Sequence, residues 1–286
     1  MGSRIDIDKN LVTERYNELK NLKKVAKSFG VSLRPIKRIL KENNFVLTNR
    51  RYEVNHDYFE SIDTEEKAYW LGFLFADGCV RRTKSGCQLV LKLSLKDEEH
   101  LKLFKVHINS EHKINYYQSK TVSKKGTPST SDNCVIRINS NKLIEDLINQ
   151  GCTPRKTFTI HKPNIDEKFY KHFIRGYYDG DGNFFYSEKT KMSVVTIVCA
   201  SEKFREFLIE VISKIPNIGK IHEDKKKYTI KIVNIVGIVN FLDYVYEKSK
   251  IQLDRKKEYY ERYKEYRRDI ESDYKRGLCG SYVKTS

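Results

Sequence analysis

Two nine-residue stretches constrain this chain more than anything else in it: WLGFLFADG at 70–78 and IRGYYDGDG at 174–182. In each, small residues recur four apart, Gly72 with Ala76 and Gly176 with Gly180, which leaves one helix face open to close approach by another backbone. If those faces meet, the two helices pack side by side. The glycine after each acid, Gly78 or Gly182, should end its helix, so Asp77 and Asp181 are expected together at the bottom of the pair. Two adjacent carboxylates repel strongly unless something cationic lies between them. Mg²⁺, or another divalent ion such as Mn²⁺, is the natural occupant, because its oxygen ligands can include both carboxylates, water and phosphate oxygens. Ions held in this way activate water and stabilise a leaving oxygen in phosphodiester hydrolysis.

The resemblance between the two stretches extends to the residues downstream of each. From Asp63 the order is an apolar helix opened by a capping-box pattern, Asp63-Thr64-Glu65-Glu66, then a strand near 87–95 with Leu89, Leu91, Leu93 and Leu95 on one face. A helix at 97–108, a strand at 114–122, a polar loop, a strand at 134–139 and a helix at 141–150 complete the unit. The second unit repeats the order. A cap at 164–167 opens its helix, strands fall near 183–188 and 194–200, a helix covers 202–215, strands fall near 220–223 and 228–233, and a helix spans 236–248. The expected class is α+β, with two pseudo-symmetric αββαββα units whose sheets form a saddle with an uncovered polar face.

Both motif stretches resemble the LAGLIDADG motif of homing endonucleases, in the single-chain, two-motif form. In that family the eighth motif residue is the metal-binding acid, which corresponds to Asp77 and Asp181, and the preceding carbonyls of Ala76 and Gly180 also contribute. After the last helix of each unit comes a basic pair, in TPRKT at 153–157 and LDRKK at 253–257. These resemble the family's basic site, whose lysine lies near the scissile phosphate, and so imply catalytic roles for Lys156 and Lys256. Lys156 follows Asp77 by 79 residues and Lys256 follows Asp181 by 75, as two equivalent half-sites require. The resemblance covers about 63–263. One departure stands out: the sixth motif position is Asp179 in the second copy and Phe75 in the first, which implies active-site asymmetry and unequal cutting of two strands.

An all-α segment precedes this region. Residues 11–43 carry apolar positions at helical spacing with two interruptions, the pattern of three short helices. Ala26 lies four residues before Gly30, as in a helix-turn-helix, with Ser32 as N-cap and Pro35 in the first turn of the next helix. That helix would present Arg34, Lys37 and Arg38 to a DNA major groove. The expected division is a helix-turn-helix domain at 1–48, a basic linker at 49–62, a first half at 63–160, a second half with a C-terminal helix at 161–275, and a tail at 276–286.

Lysine and arginine outnumber aspartate and glutamate 55 to 38, giving a net charge of +17 that favours a polyanionic partner. Double-stranded DNA is the expected one. On the sheet faces Arg81, Arg82, Lys92 and Arg137 are the candidates of the first half, and Tyr186, Lys189, Lys225, Lys227 and Lys231 those of the second. The final helix carries Tyr259, Tyr263, Tyr266 and Ile270 on one stripe that packs on the body. No apolar run approaches a membrane span, and MGSRIDIDKN at the start has no signal-peptide core, so a soluble intracellular monomer is expected, in cytoplasm or an organelle matrix. Six cysteines without paired spacing argue against zinc fingers and disulfides. Two other functions suit the same scaffold: a non-cleaving DNA-binding regulator and an RNA intron maturase.

Overall fold

A computed structural model of the chain describes residues 7–19, 22–45, 52–83, 86–122 and 126–275. It divides between Arg51 and Tyr52 into two compact units. The basic run Asn49-Arg50-Arg51 and the segment 276–286, with Cys279, lie outside the described residues.

The first unit is three helices, α1 (Lys9–Leu19), α2 (Leu22–Ser28) and α3 (Leu33–Glu42). Val12, Val25, Ala26, Ile36, Ile39 and Leu40 form its core. Gly30 takes φ +64°, which a residue with a Cβ rarely adopts, and Val31 N–H donates back to the Ala26 carbonyl at 3.0 Å to close the turn. Ser32 occupies the backbone N-cap position, but contrary to expectation its side chain makes no capping bond. Pro35 lies in the first turn of α3, where a missing N–H costs nothing.

The second unit contains both motifs. Its first half runs α4 (Glu65–Ala76), β1 (Gly78–Thr83), β2 (Gly86–Ser94), α5 (Glu98–His107), β3 (Asn115–Val122), β4 (Pro128–Asn139) and α6 (Asn141–Asn149). Its second half runs α7 (Tyr170–Asp181), β5 (Gly182–Ser187), β6 (Met192–Val198), α8 (Glu202–Ser213), β7 (Ile221–Asp224), β8 (Thr229–Ile232) and α9 (Ile235–Tyr246), followed by α10 (Asp254–Lys275). The sheets have the same antiparallel order, β1-β2-β4-β3 and β5-β6-β8-β7. The class is therefore α+β with an internal αββαββα repeat, as the sequence predicts.

Several details differ from the sequence reading. Strand β4 begins at Pro128, so most of the expected polar loop is paired with β3, Ser131 opposite Ser119 and Asn133 opposite Tyr117. Its first five residues are exposed, which removes the alternation that marks a half-buried strand. Leu95 leaves the strand for a 3₁₀ turn and is exposed, whereas Leu89, Leu91 and Leu93 are buried. Thr64, one residue after Asp63, caps α4 by accepting from Lys67 N–H, while the helix at 170 is entered through a 3₁₀ turn with no side-chain cap. Residues 52–62, read as linker, belong to the second unit: Tyr58, Phe59 and Ile62 are buried, and Asn55 N–H donates to the Ile108 carbonyl. Adjacent aromatics have no helical or strand period, so nothing in the pattern betrayed them.

Helices α4 and α7 pack along their whole length at the centre of this unit. A Cβ on Gly72 would overlap the Phe173 carbonyl oxygen, and one on Gly176 the Tyr69 carbonyl oxygen. The two glycines thus set the closeness of the helix pair, which a single alanine at either place would push apart.

Candidate active site

Asp77 is the C-cap of α4 and Asp181 the last residue of α7, so the close packing delivers both carboxylates to one end of the pair. A Cβ on Gly180 would lie against the Ala76 side chain and 3.2 Å from Asp77 Oδ2, so near do the two chains run there. The glycines after the acids end the two helices as expected, and do so without a left-handed conformation. Gly182 is extended, with φ −88°, and a Cβ on it would strike the Tyr178 ring, while one on Gly78 would press on the Leu74 carbonyl at 2.6 Å. Closeness requires glycine here, and handedness does not.

Protein packed about Asp77 strips water from its carboxyl, and with Asp181 beside it the pKa is pushed up to about 6, against the pull of Lys256 and Lys156. Asp181 is raised by the same loss of solvent, while Lys156, Lys256 and a hydrogen bond from Tyr177 favour its charged form. The lysines arrive from far along the chain. Lys156 follows Arg155, whose φ is +56°, and donates from Nζ to the Ala76 carbonyl at 2.6 Å. Lys256, in the first turn of α10, donates to the Tyr178 carbonyl at 2.8 Å and the Gly182 carbonyl at 2.5 Å. Burial lowers its pKa to about 8 even though Asp179, Asp77 and Asp181 favour its charge. Each lysine thus returns to its own unit's motif helix, yet Lys256 is the stronger influence on Asp77 and Lys156 on Asp181. Two acids and two amines form one compact, cross-coupled cluster.

The two copies are not equivalent behind this cluster. Asp179 is buried and accepts three hydrogen bonds, at Oδ1 from Tyr246 Oη (2.7 Å) and at Oδ2 from Tyr69 Oη (2.8 Å) and Leu253 N–H (2.7 Å). Arg175, one helical turn earlier and fully buried, donates to the carbonyls of Ile251 (2.8 Å) and Val245 (3.3 Å) and to Glu65 Oε1 (2.6 Å). Together they anchor the segment between α9 and α10, three residues ahead of Lys256. At the matching positions of the first copy stand Leu71 and Phe75, both buried, with Phe75 edge-on to Phe173 at 4.9 Å. Arg175 was missed in the sequence. The available signal was a pair of opposite charges, four apart, at positions that are apolar in the other copy.

The remaining sequence candidates fall into two groups. On the sheet face opposite the helices lie Arg81, Lys92 and Arg137, all exposed, with Lys92 Nζ 5.2 Å from the Tyr117 ring, and Lys231, half-buried. Lys189, Lys225 and Lys227 are exposed in the hairpin turns, with Lys225 3.1 Å from Glu202 and Lys227 4.0 Å from Asp224. Two candidates point elsewhere. Arg82 pairs with Cys87 on the helix-side face of the sheet, because side chains alternate and Arg81 takes the outer face. Tyr186 also points inward, stacked on Tyr266 (5.6 Å) and tilted against Tyr259 (4.9 Å) and Tyr263 (5.2 Å) of α10. That stripe does pack on the body as expected, although the side chain of Ile270 lies outside the described residues. In the three-helix unit Arg34 and Arg38 are exposed and Lys37 is half-buried.

Cys134, Cys152 and Cys199 are buried and free, and no disulfide joins the described cysteines. No helix among the described residues is long and apolar enough to cross a membrane.

Residues 168–247, the second of the two repeats, match the family model described as a LAGLIDADG-like domain. A search of curated proteins returns no match. Among solved structures the chain is similar to the homing endonuclease I-WcaI bound to its DNA recognition sequence, at 15% identity over 72% of this chain and 92% of that one, with a TM-score of 0.49. It is also similar to the LAGLIDADG meganuclease I-CpaMI bound to uncleaved DNA, at 14% identity over 74% and 96%, TM-score 0.40. A third similarity is to full-length DUF199/WhiA from Thermatoga maritima, at 18% identity over 78% and 72%, TM-score 0.44.

Proposed function

We propose that this chain, which has the LAGLIDADG fold, is a site-specific homing endonuclease that binds a long double-stranded DNA target as a monomer and hydrolyses one phosphodiester on each strand. One observation carries the reading: Asp77 and Asp181 end the two central helices together, and a lysine from each unit returns to that end. A helix pair built only for packing has no use for four charged groups at its tip, where desolvation penalises Asp77, Asp181 and Lys256.

A divalent ion, Mg²⁺ or Mn²⁺, suits this donor set. Loss of solvent disfavours the charged form of both carboxylates, a cost that a cation between them would offset, and all the donors are oxygens. Asp77 and Asp181 would hold it, with the Gly180 carbonyl beside them. The Ala76 carbonyl already accepts from Lys156, so it would be shared. No cluster of three His, Cys, Asp or Glu is present among the described residues, which leaves coordination to water and phosphate oxygens. Such an ion, when bound, acidifies water and neutralises charge on a leaving oxygen. The chain's own contribution is electrostatic. Lys156 and Lys256, fixed by backbone carbonyls before substrate arrives, oppose the negative charge that grows on the phosphate in the transition state.

The outer sheet faces supply the groove for duplex DNA, and the three-helix unit adds a second contact through Arg34, Lys37 and Arg38. The test is a randomised duplex library incubated with the protein and Mg²⁺, with cleaved sites recovered and sequenced. Asp77→Asn and Asp181→Asn should each nearly abolish double-strand cleavage and leave DNA affinity within a few-fold. Wild-type cleavage by the double variant would end the nuclease assignment. Specific binding without cleavage by the parent protein would favour the regulator, and tight binding of structured RNA in preference to duplex DNA would favour the maturase.

A further inference from the structure

The outer faces of the two sheets follow the same topology but differ in chemistry: the second carries large exposed apolar side chains on either side of one polar row, Asn183, Thr196, Lys231 and His222. Strand register puts Arg81, Gln88, Lys92, Asn133, Arg137 and Asn139 on the first face, where the two valines between them, Val90 and Val135, are buried. On the second face Phe185 pairs with Val194, Ser187 with Met192 and Val198 with Thr229. Phe185 is 48% exposed, Met192 64% and Val198 47%, so three large apolar side chains stand in solvent in a chain of high positive charge. Solvent-exposed apolar groups clustered on one face mark a surface meant to be covered.

Resting on the proposed function, we infer that the second sheet reads its half of the DNA target through thymine methyl groups, while the first sheet reads its half through hydrogen bonds to purine edges. The target is then chemically asymmetric, with thymine steps in one half and guanine or adenine contacts in the other. Three observations select DNA as the occupant of the apolar face. Strand β5 starts at Gly182, directly after Asp181, so this face continues from the acid pair without a break. Lys231 lies on the face itself, and Lys189, Lys225 and Lys227 stand in the turns at its ends, a basic rim suited to phosphates. In the major groove the thymine C5 methyl is the apolar feature that such side chains can contact, whereas Arg, Asn and Gln match guanine and adenine edges.

The experiment uses the full chain and duplexes selected by binding from the random library. Selected sites should show thymine enrichment in one half only. Replacing those thymines with deoxyuridine, which removes only the methyl, should weaken binding about fourfold per contacted methyl, and the same exchange in the other half should have no effect. Phe185→Ser, Met192→Thr and Val198→Thr combined should weaken binding to the parent site and abolish the deoxyuridine effect. These side chains are exposed, so the variant should retain its melting temperature, and Arg137→Gln should shift preference only in the opposite half. Equal affinity for thymine and deoxyuridine duplexes in both halves would overturn the inference, as would a triple variant that loses self-association while keeping the parent preference. Failure to select any duplex would instead overturn the proposed function itself.

Discussion

Replacing Asp179 with leucine, which is of similar size, removes the acceptor of three hydrogen bonds inside the body. Tyr69 Oη keeps a second partner, His100 Nε2 at 2.9 Å, but the bonds that Tyr246 Oη and Leu253 N–H make to Asp179 have no such replacement on the same network. A buried donor left unsatisfied costs about 1–3 kcal/mol, so two of them amount to about 2–6 kcal/mol. Burial raises the pKa of Asp179 itself, so removing the carboxylate returns part of that cost, and the net loss should fall near about 2–4 kcal/mol. Asp179→Asn should cost less than about 1.5 kcal/mol, because its carbonyl can serve the two donors at Oδ2 while its amide faces a Tyr246 hydroxyl that can turn to accept. Urea denaturation gives the totals, and amide hydrogen exchange at Leu253 gives the local part. Because Leu253 lies three residues before Lys256, loosening it should also misplace that lysine. In a single-turnover assay with each strand labelled, Asp179→Leu and Lys256→Met should slow the same strand, about tenfold or more, while Lys156→Met slows the other and Asp179→Asn, which still holds Leu253, slows neither comparably. A general loss of stability would slow both strands alike. The reasoning is refuted if Asp179→Leu costs less than about 1 kcal/mol and leaves the Leu253 amide protected.

Lys156→Met and Lys256→Met should lower the cleavage rate of the saturated complex more than the affinity; an unchanged rate with a salt slope reduced by about one counterion would make each an ordinary phosphate contact. Deleting residues 1–48 should weaken binding and shorten the DNase footprint on one side while metal-dependent cleavage persists, and an unchanged footprint would show that this unit is not docked on DNA. The raised pKa of Asp77 predicts a stability effect in metal-free protein. The favourable contribution of its protonated form is complete below about 3.8 and is lost as pH rises through about 6. Asp77→Asn should therefore raise the melting temperature at pH 8 and leave it nearly unchanged near pH 4, as differential scanning calorimetry would record.

The elements of the repeat were legible in the sequence wherever one face of an element is buried and the other is wet. Leu89, Leu91 and Leu93 announce β2, and Gly72, Ala76, Gly176 and Gly180 announce a close helix pair, because period and residue size are local properties that packing preserves. Asp77 and Asp181 could be placed together for the same reason: a helix end is a position along the chain. The partner a side chain meets across 70 or 80 residues is not local. Only the tertiary structure decides that Tyr186 turns inward to α10, that Arg82 takes the helix side of its sheet, and that Tyr58 and Phe59 belong to the core. It also decides that Asp179, which the sequence marks only as a departure from Phe75, anchors the turn leading to Lys256. A buried charge is intelligible only with its partners, and those of Asp179 come from α4, α9 and the loop after α9, which the fold alone assembles around it.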